Sequence, residues 1–205
     1  MRCSFCRVKN MKYIICAGTS EIDPPKQLLE VNGEIIIERT IRLLRENGVD
    51  DIKVSSSNPL FRKYGMIEYN SSGAWVNCFY PTDEPVCYIF GDVYFSEEAI
   101  KTIVETKTKD IDFFASAPPF AEGYPKRHAE PFAFKVVNTK WFRKSINRVK
   151  QIDAYGLFKR HPISWELWQI IKGTPINKID YNNYTVINDY TCDVDHESDI
   201  TRWIF

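Results

Sequence analysis

Two short apolar runs, Tyr13-Ile14-Ile15-Cys16-Ala17 and Val86-Cys87-Tyr88-Ile89-Phe90, each stop on a glycine, Gly18 in one case and Gly91 in the other. Five consecutive apolar residues with no polar alternation read as buried strands of a parallel sheet. Polar residues succeed both runs: Gly18-Thr19-Ser20 and then Pro24-Pro25-Lys26 after the first, Asp92 after the second. In an open α/β sheet, ligands sit outside the carboxyl ends of the parallel strands, so this lysine and this carboxylate are expected to face one crevice. A cation and an isolated carboxylate in such a place suit a phosphate and its magnesium ion.

The rest of the chain alternates in the same manner. Ile36, Ile37, Thr40, Ile41 and Leu44 recur at helical spacing and Asn47-Gly48 supplies a stop, after which Ile52-Lys53-Val54 begins a second strand that ends in the loop Ser55-Ser56-Ser57-Asn58-Pro59. A parallel strand–helix–strand crossover is the economical reading. Gly73 to Tyr80 is expected to form a short helix ahead of the Val86 strand, and Ser96-Glu97-Glu98 to open a helix through about Thr106, the hydroxyl acting as N-cap and the acids sitting in the first turn. Further on, Ile111 to Ala115 and Phe132 to Val137 read as strands, Trp141 to Val149 and Ser164 to Lys172 as helices, and Tyr184 to Ile187 as a late strand. Trp165 and Trp168, three apart, share a helix face and read as core.

With 205 residues the chain is expected to form one domain, residues 11–205, behind an N-terminal extension of residues 1–10. Basic and acidic residues number 27 each, so there is no overall field to hold a polyanion, and neither nucleic acid nor an anionic membrane is expected as the main partner. The apolar runs are strand-length and no signal-type stretch follows Met1, which reads as a cytoplasmic protein. Cys16 and Cys87 lie inside apolar strands, where a thiol behaves as a small buried hydrophobe. Cys3-x-x-Cys6 lacks the second ligand pair that a zinc site needs, the histidines being scattered at 128, 161 and 196.

The order Ala17-Gly18, Pro25-Lys26-Gln27-Leu28-Leu29, Val31-Asn32-Gly33 with a helix, Gly91-Asp92, and Asp193-Val194-Asp195 ahead of a short helix resembles the GT-A-type nucleotidyltransferases, which include sugar-phosphate and cytidylyl transferases. The resemblance spans nearly the whole chain from Met11, and its strength lies in the order of several motifs. It implies a single-domain, Rossmann-like α/β fold with a mostly parallel central sheet and flanking helices. It also implies magnesium-dependent transfer of a nucleoside monophosphate from a triphosphate to a phosphorylated small acceptor, a sugar phosphate or similar alcohol, with release of pyrophosphate.

Carried over residue by residue, the resemblance assigns Lys26 and Asp92 to catalysis and Asp92, Asp195 and Asp193 to the metal. It places the nucleotide on Ala17, Gly18, Thr19 and Ser20, on Ser56 and Asn58, and on Ser72 and Gly73. Acceptors of this family carry phosphate, which brings Arg127, His128, Glu130, Arg160 and His161 into consideration for an acceptor pocket. The loop from Thr19 to Pro24 departs from the family pattern, with two acids, Glu21 and Asp23, and no arginine. Arg127 or Arg160 would then have to enter from elsewhere. Two other functions fit the same fold: a glycosyltransferase using a ready-made sugar nucleotide, which Lys26 and its loop argue against, and a catalytically silent binding protein, which the altered loop favours.

Overall fold

A computed structural model describes residues 11–18, 23–71, 73, 75–117, 129–177, 179–195 and 199–200. The proposed extension of residues 1–10 lies outside them. Among the described residues, eleven strands and four α-helices follow in the order β1 (Lys12–Cys16), β2 (Glu30–Val31), β3 (Glu34–Ile35), α1 (Ile36–Glu46), β4 (Ile52–Ser56), β5 (Met66–Glu68), β6 (Val86–Phe90), β7 (Val93–Tyr94), α2 (Glu97–Glu105), β8 (Ile111–Ala115), β9 (Pro131–Val136), α3 (Thr139–Ala154), α4 (Ser164–Lys172), β10 (Thr185–Val186) and β11 (Cys192–Asp193).

Seven of the strands form the central sheet in the order β10-β8-β9-β6-β1-β4-β5. β1 runs parallel to both β4 and β6, and β4 parallel to β5, so the expected crossover through α1 is present. β9 runs against both of its neighbours, β6 and β8, which leaves the sheet mostly parallel with one reversed strand. Composition does not disclose that reversal, because a strand buried on both faces looks alike in either direction. Every residue of β6 is buried, as its unbroken apolar run requires. Cys87 lies at 0% exposure within it, and burial pushes its thiol up to about 12, in keeping with a core hydrophobe.

The helices follow their sequence signals. Ser96 accepts the Ala99 N–H at 2.9 Å as the N-cap of α2, and Asn138 caps α3 by accepting from Trp141 N at 3.0 Å. Gly173, in the left-handed region at φ 69°, closes α4. Trp165 and Trp168 are buried, their indole N–H groups donating to the carbonyls of Ala129 and Asn182. β4 extends through Ser55 and Ser56, where a loop was expected, because β5 pairs with it there; three residues of β5 are too few to show a period. The two-residue strands β2, β3, β7 and β11 escape pattern reading for the same reason. The helix expected from Gly73 to Tyr80 is a single 3₁₀ turn, Trp75–Cys78.

One charge lies in the middle of this sheet. Lys135 of β9 is 5% exposed, and its ammonium donates at 2.8 Å to each of three carbonyls, Ile103, Val104 and Thr106, at the C-terminal end of α2. A helix end presents unpaired carbonyls and partial negative charge, so the buried lysine replaces the solvent those groups would otherwise need. Lys135→Ala is therefore expected to lower unfolding free energy by about 3 kcal/mol in urea titration, hydrogen bonds to charged groups being among the stronger ones. A loss near zero would show that the cap contributes nothing to stability.

Candidate active site

The site begins where β6 ends. Gly91 N donates to the Cys16 carbonyl at 3.1 Å, and a Cβ on Gly91 would lie 2.8 Å from that oxygen and 3.1 Å from both Gln27 Cγ and Ile15 Cγ2. Only a residue without a side chain lets the chain turn this close to β1. Asp92 is thereby held beside the carboxyl end of β1. From there β7 pairs antiparallel with β11, Val93 opposite Asp193, and Val194 N donates to the Asp92 carbonyl at 2.7 Å. A backbone ladder thus carries residues 193–195 to within reach of Gly91-Asp92, a hundred positions away in sequence.

Side chains fix that ladder from both ends. Ser96, besides capping α2, donates its hydroxyl to Asp189 at 2.6 Å, while Asp189 accepts the Thr191 N–H at 2.7 Å and Thr191 Oγ1 accepts the Ser96 N–H at 3.0 Å. Asp199, 4% exposed, accepts the Asp195 N–H at 2.8 Å. Beneath the ladder, Leu29, Val31, Ile36, Tyr94, Cys192 and Val194 form a small apolar cluster that binds the Lys26 loop, the start of α1 and the β7–β11 pair into one unit. Arg39 of α1 reinforces it, donating to the Phe95 carbonyl at 2.9 Å with its guanidinium 4.7 Å from the centre of the Tyr94 ring.

A cavity of about 480 Å³ opens over this unit, within the range that holds small ligands. Lys26, Asp92, Asp193 and Asp195 all line it, and Lys26 Nζ donates to Asp195 Oδ1 at 3.2 Å. Gly18 and Gly73 lie on the side of β1, and Glu130, with Pro131, on the side of β9. Because β6 runs between β1 and β9, Asp92 stands between those two halves. Gly73 has φ 91°, a conformation that favours glycine, and a Cβ there would meet Asn77 Nδ2 at 3.2 Å. Asp23, one of the two acids in the departed loop, is exposed and is not among the lining residues.

Other expected residues lie elsewhere. Ala17 is fully buried and its N–H is engaged by the Ser55 carbonyl. Ser56 is buried and its hydroxyl accepts the Asn58 N–H, while Asn58 Oδ1 accepts from Leu60 as the N-cap of the 3₁₀ turn Pro59–Tyr64. Neither lines the cavity, since both serve the turn after β4. Arg160 donates to Glu166 at 2.7 Å, and the other Glu166 oxygen accepts the Ile163 N–H at 2.9 Å, so this arginine is bound into the cap of α4. His161 is exposed and, like Arg160, is absent from the lining. Thr19, Ser20, Ser72, Arg127 and His128 lie outside the described residues.

Sequence reasoning overlooked several wall residues: Gln27, Trp75, Phe90 and Ile163, together with the thiols of Cys16 and Cys78, whereas Ser71 belongs to the stretch Asn70-Ser71-Ser72-Gly73 that the resemblance marks for the nucleotide. Gln27 directly follows Lys26 in the 3₁₀ turn Lys26–Leu28, and that adjacency is the signal that would have found it. Its Oε1 is buried with no hydrogen-bond partner among the described residues. Burial, with a hydrogen bond to Cys16 as the second cause, raises the Cys78 thiol well above its ordinary range. Among the described residues, no group of three or more His, Cys, Asp or Glu side chains is disposed to hold a metal ion. No helix among them is long and apolar enough to cross a membrane.

No protein-family model matches the sequence, and no curated protein matches it. Among solved structures, one described as a glucose-1-phosphate thymidylyltransferase from Bacillus anthracis, in complex with sucrose, superposes with a TM-score of 0.57 over 94% of this chain and 93% of that one. This is a nucleotidyltransferase-like fold. The two sequences are 15% identical, so the likeness concerns the architecture. The contact at Gly91 offers a direct check on how the site is held. In Gly91→Ala the added methyl meets the Cys16 carbonyl first, which is backbone and cannot swing away, and a loss of about 2 kcal/mol in unfolding free energy is expected, as for overpacked cores. Wild-type stability in the variant would mean the β1–β6 approach is looser than described.

Proposed function

We propose that the protein is a magnesium-dependent nucleotidyltransferase that moves a nucleoside monophosphate from a triphosphate onto a phosphorylated small acceptor. The observation that carries this reading is the convergence of Lys26, Asp92 and Asp195 on one cavity at the carboxyl ends of β1 and β6. The fold shared with a protein described as a sugar-phosphate thymidylyltransferase supports it. A phosphate oxygen of the acceptor would attack the α-phosphorus, the bond to the bridging oxygen would break, and pyrophosphate would leave with the electron pair. Two anions must meet for this, so positive charge at the α-phosphate is the first requirement.

Lys26 is placed to supply part of that charge. Its ammonium donates to Asp195 at 3.2 Å, and a triphosphate would draw it onto its own oxygens. The donor set fits magnesium: hard carboxylate oxygens on Asp92 and Asp195, with Asp193 beside them, and room in the cavity for the waters and phosphate oxygens that complete an octahedron. When bound, magnesium would supply a second positive charge at the α-phosphate. The β1 side, with Gly18 and Gly73, offers backbone close to where a nucleotide would lie. The β9 side, with Glu130, Pro131 and Ile163, is left for the acceptor. The orphan Gln27 Oε1 would gain a donor from ligand or ordered water.

The reaction can be tested without knowing either substrate. Incubation with magnesium, each common triphosphate in turn and a pooled set of phosphorylated sugars and alcohols should release pyrophosphate with one combination, and product mass would give both halves. Nucleotide binding without turnover across the pool would favour a silent binding protein instead. In Asp92→Asn, turnover is expected to fall by roughly a thousandfold, about 4 kcal/mol of lost transition-state stabilisation, with the fold intact. Near-normal pyrophosphate release from the folded variant would remove Asp92 from the metal.

Lys26→Ala should lower turnover more than it weakens triphosphate binding, since the charge it meets grows in the transition state. Lys26→Arg should rescue only partly, a planar fork being a poor replacement for a compact ammonium. Steady-state kinetics beside equilibrium titration separates the two effects. Equal losses in both would make Lys26 a binding group alone.

A further inference from the structure

A second cavity, of about 230 Å³, lies alongside the first on one face of the sheet. Val86, Tyr88 and Phe90 alternate along β6 and so point to the same face; the first two line this cavity and Phe90 lines the one already described. Phe79, Tyr88 and Phe142 give it an aromatic floor, their rings packed with centres 5.1 to 5.6 Å apart. Arg143 and Lys150, on one side of α3 with Asn147 between them, supply its charge, and no carboxylate lines it among the described residues. Asp83, outside the lining, pairs with Arg143.

The 3₁₀ turn Trp75–Cys78 is the wall between the two cavities. At three residues per turn, Trp75 and Cys78 share a face and line the first, while Val76 and Phe79, also three apart, share another and line the second. The Phe79 ring packs toward both: its centre is 5.3 Å from that of Trp75 and 6.1 Å from Phe90 on one side, and 5.1 Å from Tyr88 and from Phe142 on the other. We propose that the second cavity is an effector site for an aromatic ring bearing one anionic group, and that its occupant braces the Phe79 turn and so tightens binding in the first cavity. A cavity of about 150 Å³ suffices for benzene, so the volume here takes one ring and a short arm. The ring packs edge-on or offset against Phe79, Tyr88 and Phe142. The anion meets Lys150 and the Arg143 guanidinium, whose several donors can serve it and Asp83 together. A wall already held in place loses less freedom when a ligand arrives next door, which is why bracing raises affinity there.

The test titrates phenyl phosphate, phenylacetate and, as a neutral ring, benzyl alcohol into the full-length protein by calorimetry, and soaks its crystals with the same three. At least one acid is expected to bind at millimolar concentration or below, its ring lying against Phe79 and Phe142 in the density. Phenyl phosphate binding alone would assign the occupant as a phosphate ester, phenylacetate alone as a carboxylic acid. Benzyl alcohol should bind about tenfold more weakly than the acid. Lys150→Gln, a change at an exposed position, should weaken the acid about fivefold, and Ile146→Trp, which fills the cavity, should abolish its binding. No binding by either acid, acids that bind no better than benzyl alcohol or are indifferent to Lys150→Gln, or rings seated elsewhere would overturn the site. The bracing rests on the nucleotidyltransferase reading and is measured separately, with an acid that the density places only in the second cavity. Saturation with that acid should raise affinity for the triphosphate that supports turnover about fivefold. Unchanged or lower affinity would overturn the bracing. A protein that binds no triphosphate at all would instead count against the nucleotidyltransferase reading, and the titrations and density would still decide the second site.

Discussion

The close approach of Gly91 to the end of β1 is the constraint on which the site depends. A hydrogen bond of 3.1 Å from Gly91 N to the Cys16 carbonyl, with no room for a side chain, holds the β6 terminus against the β1 terminus. The chain can then step into β7, and β7 supplies the edge that β11 needs. Each link is short, since β7 and β11 are two residues long. Their persistence comes from the apolar cluster beneath them and from the Ser96–Asp189–Thr191 hydrogen bonds, rather than from the ladder itself. Such a design gathers carboxylates from distant parts of the sequence without burying them, a buried and unpaired carboxylate being costly.

Electrostatics explains why the gathering is tolerable. Asp92, Asp193 and Asp195 face one cavity, and Lys26 bridges to Asp195. The pair is partly exposed, with 23% and 48% of the two side chains accessible, so its role is better seen as keeping the cation in place than as stabilising the fold. A partly solvated pair is readily exchanged for a stronger one. Under the proposed function, a polyphosphate arriving with a divalent cation would offer both partners a replacement of opposite charge.

The framework was legible in the sequence because the central strands are long enough, and apolar enough, to show themselves. Tyr13 to Ala17 and Val86 to Phe90 announced β1 and β6, and the polar residues after them announced a crevice. Helices α1 to α4 were legible through their period and caps. The reversal of β9 was not, because direction leaves no mark on a doubly buried strand. The β7–β11 pairing was not either, and the proximity of Asp195 to Asp92 came from family resemblance rather than from any local signal. Arg160 shows the opposite failure. A basic residue beside a histidine and a proline suggests an anion site, yet Glu166, buried and six positions on, claims it for a helix cap. Partners that far along a chain cannot be read from composition.

The proposed function requires Asp92 and Asp195 to hold a divalent cation against a triphosphate that Lys26 also contacts. A crystal structure with a non-hydrolysable triphosphate and manganese, the metal located by its anomalous signal, tests it directly. The expected result is one metal peak bonded to carboxylate oxygens of both Asp92 and Asp195, with Lys26 turned from Asp195 onto the phosphates. A bound triphosphate whose metal touches neither carboxylate, or a triphosphate seated outside this cavity, would contradict it.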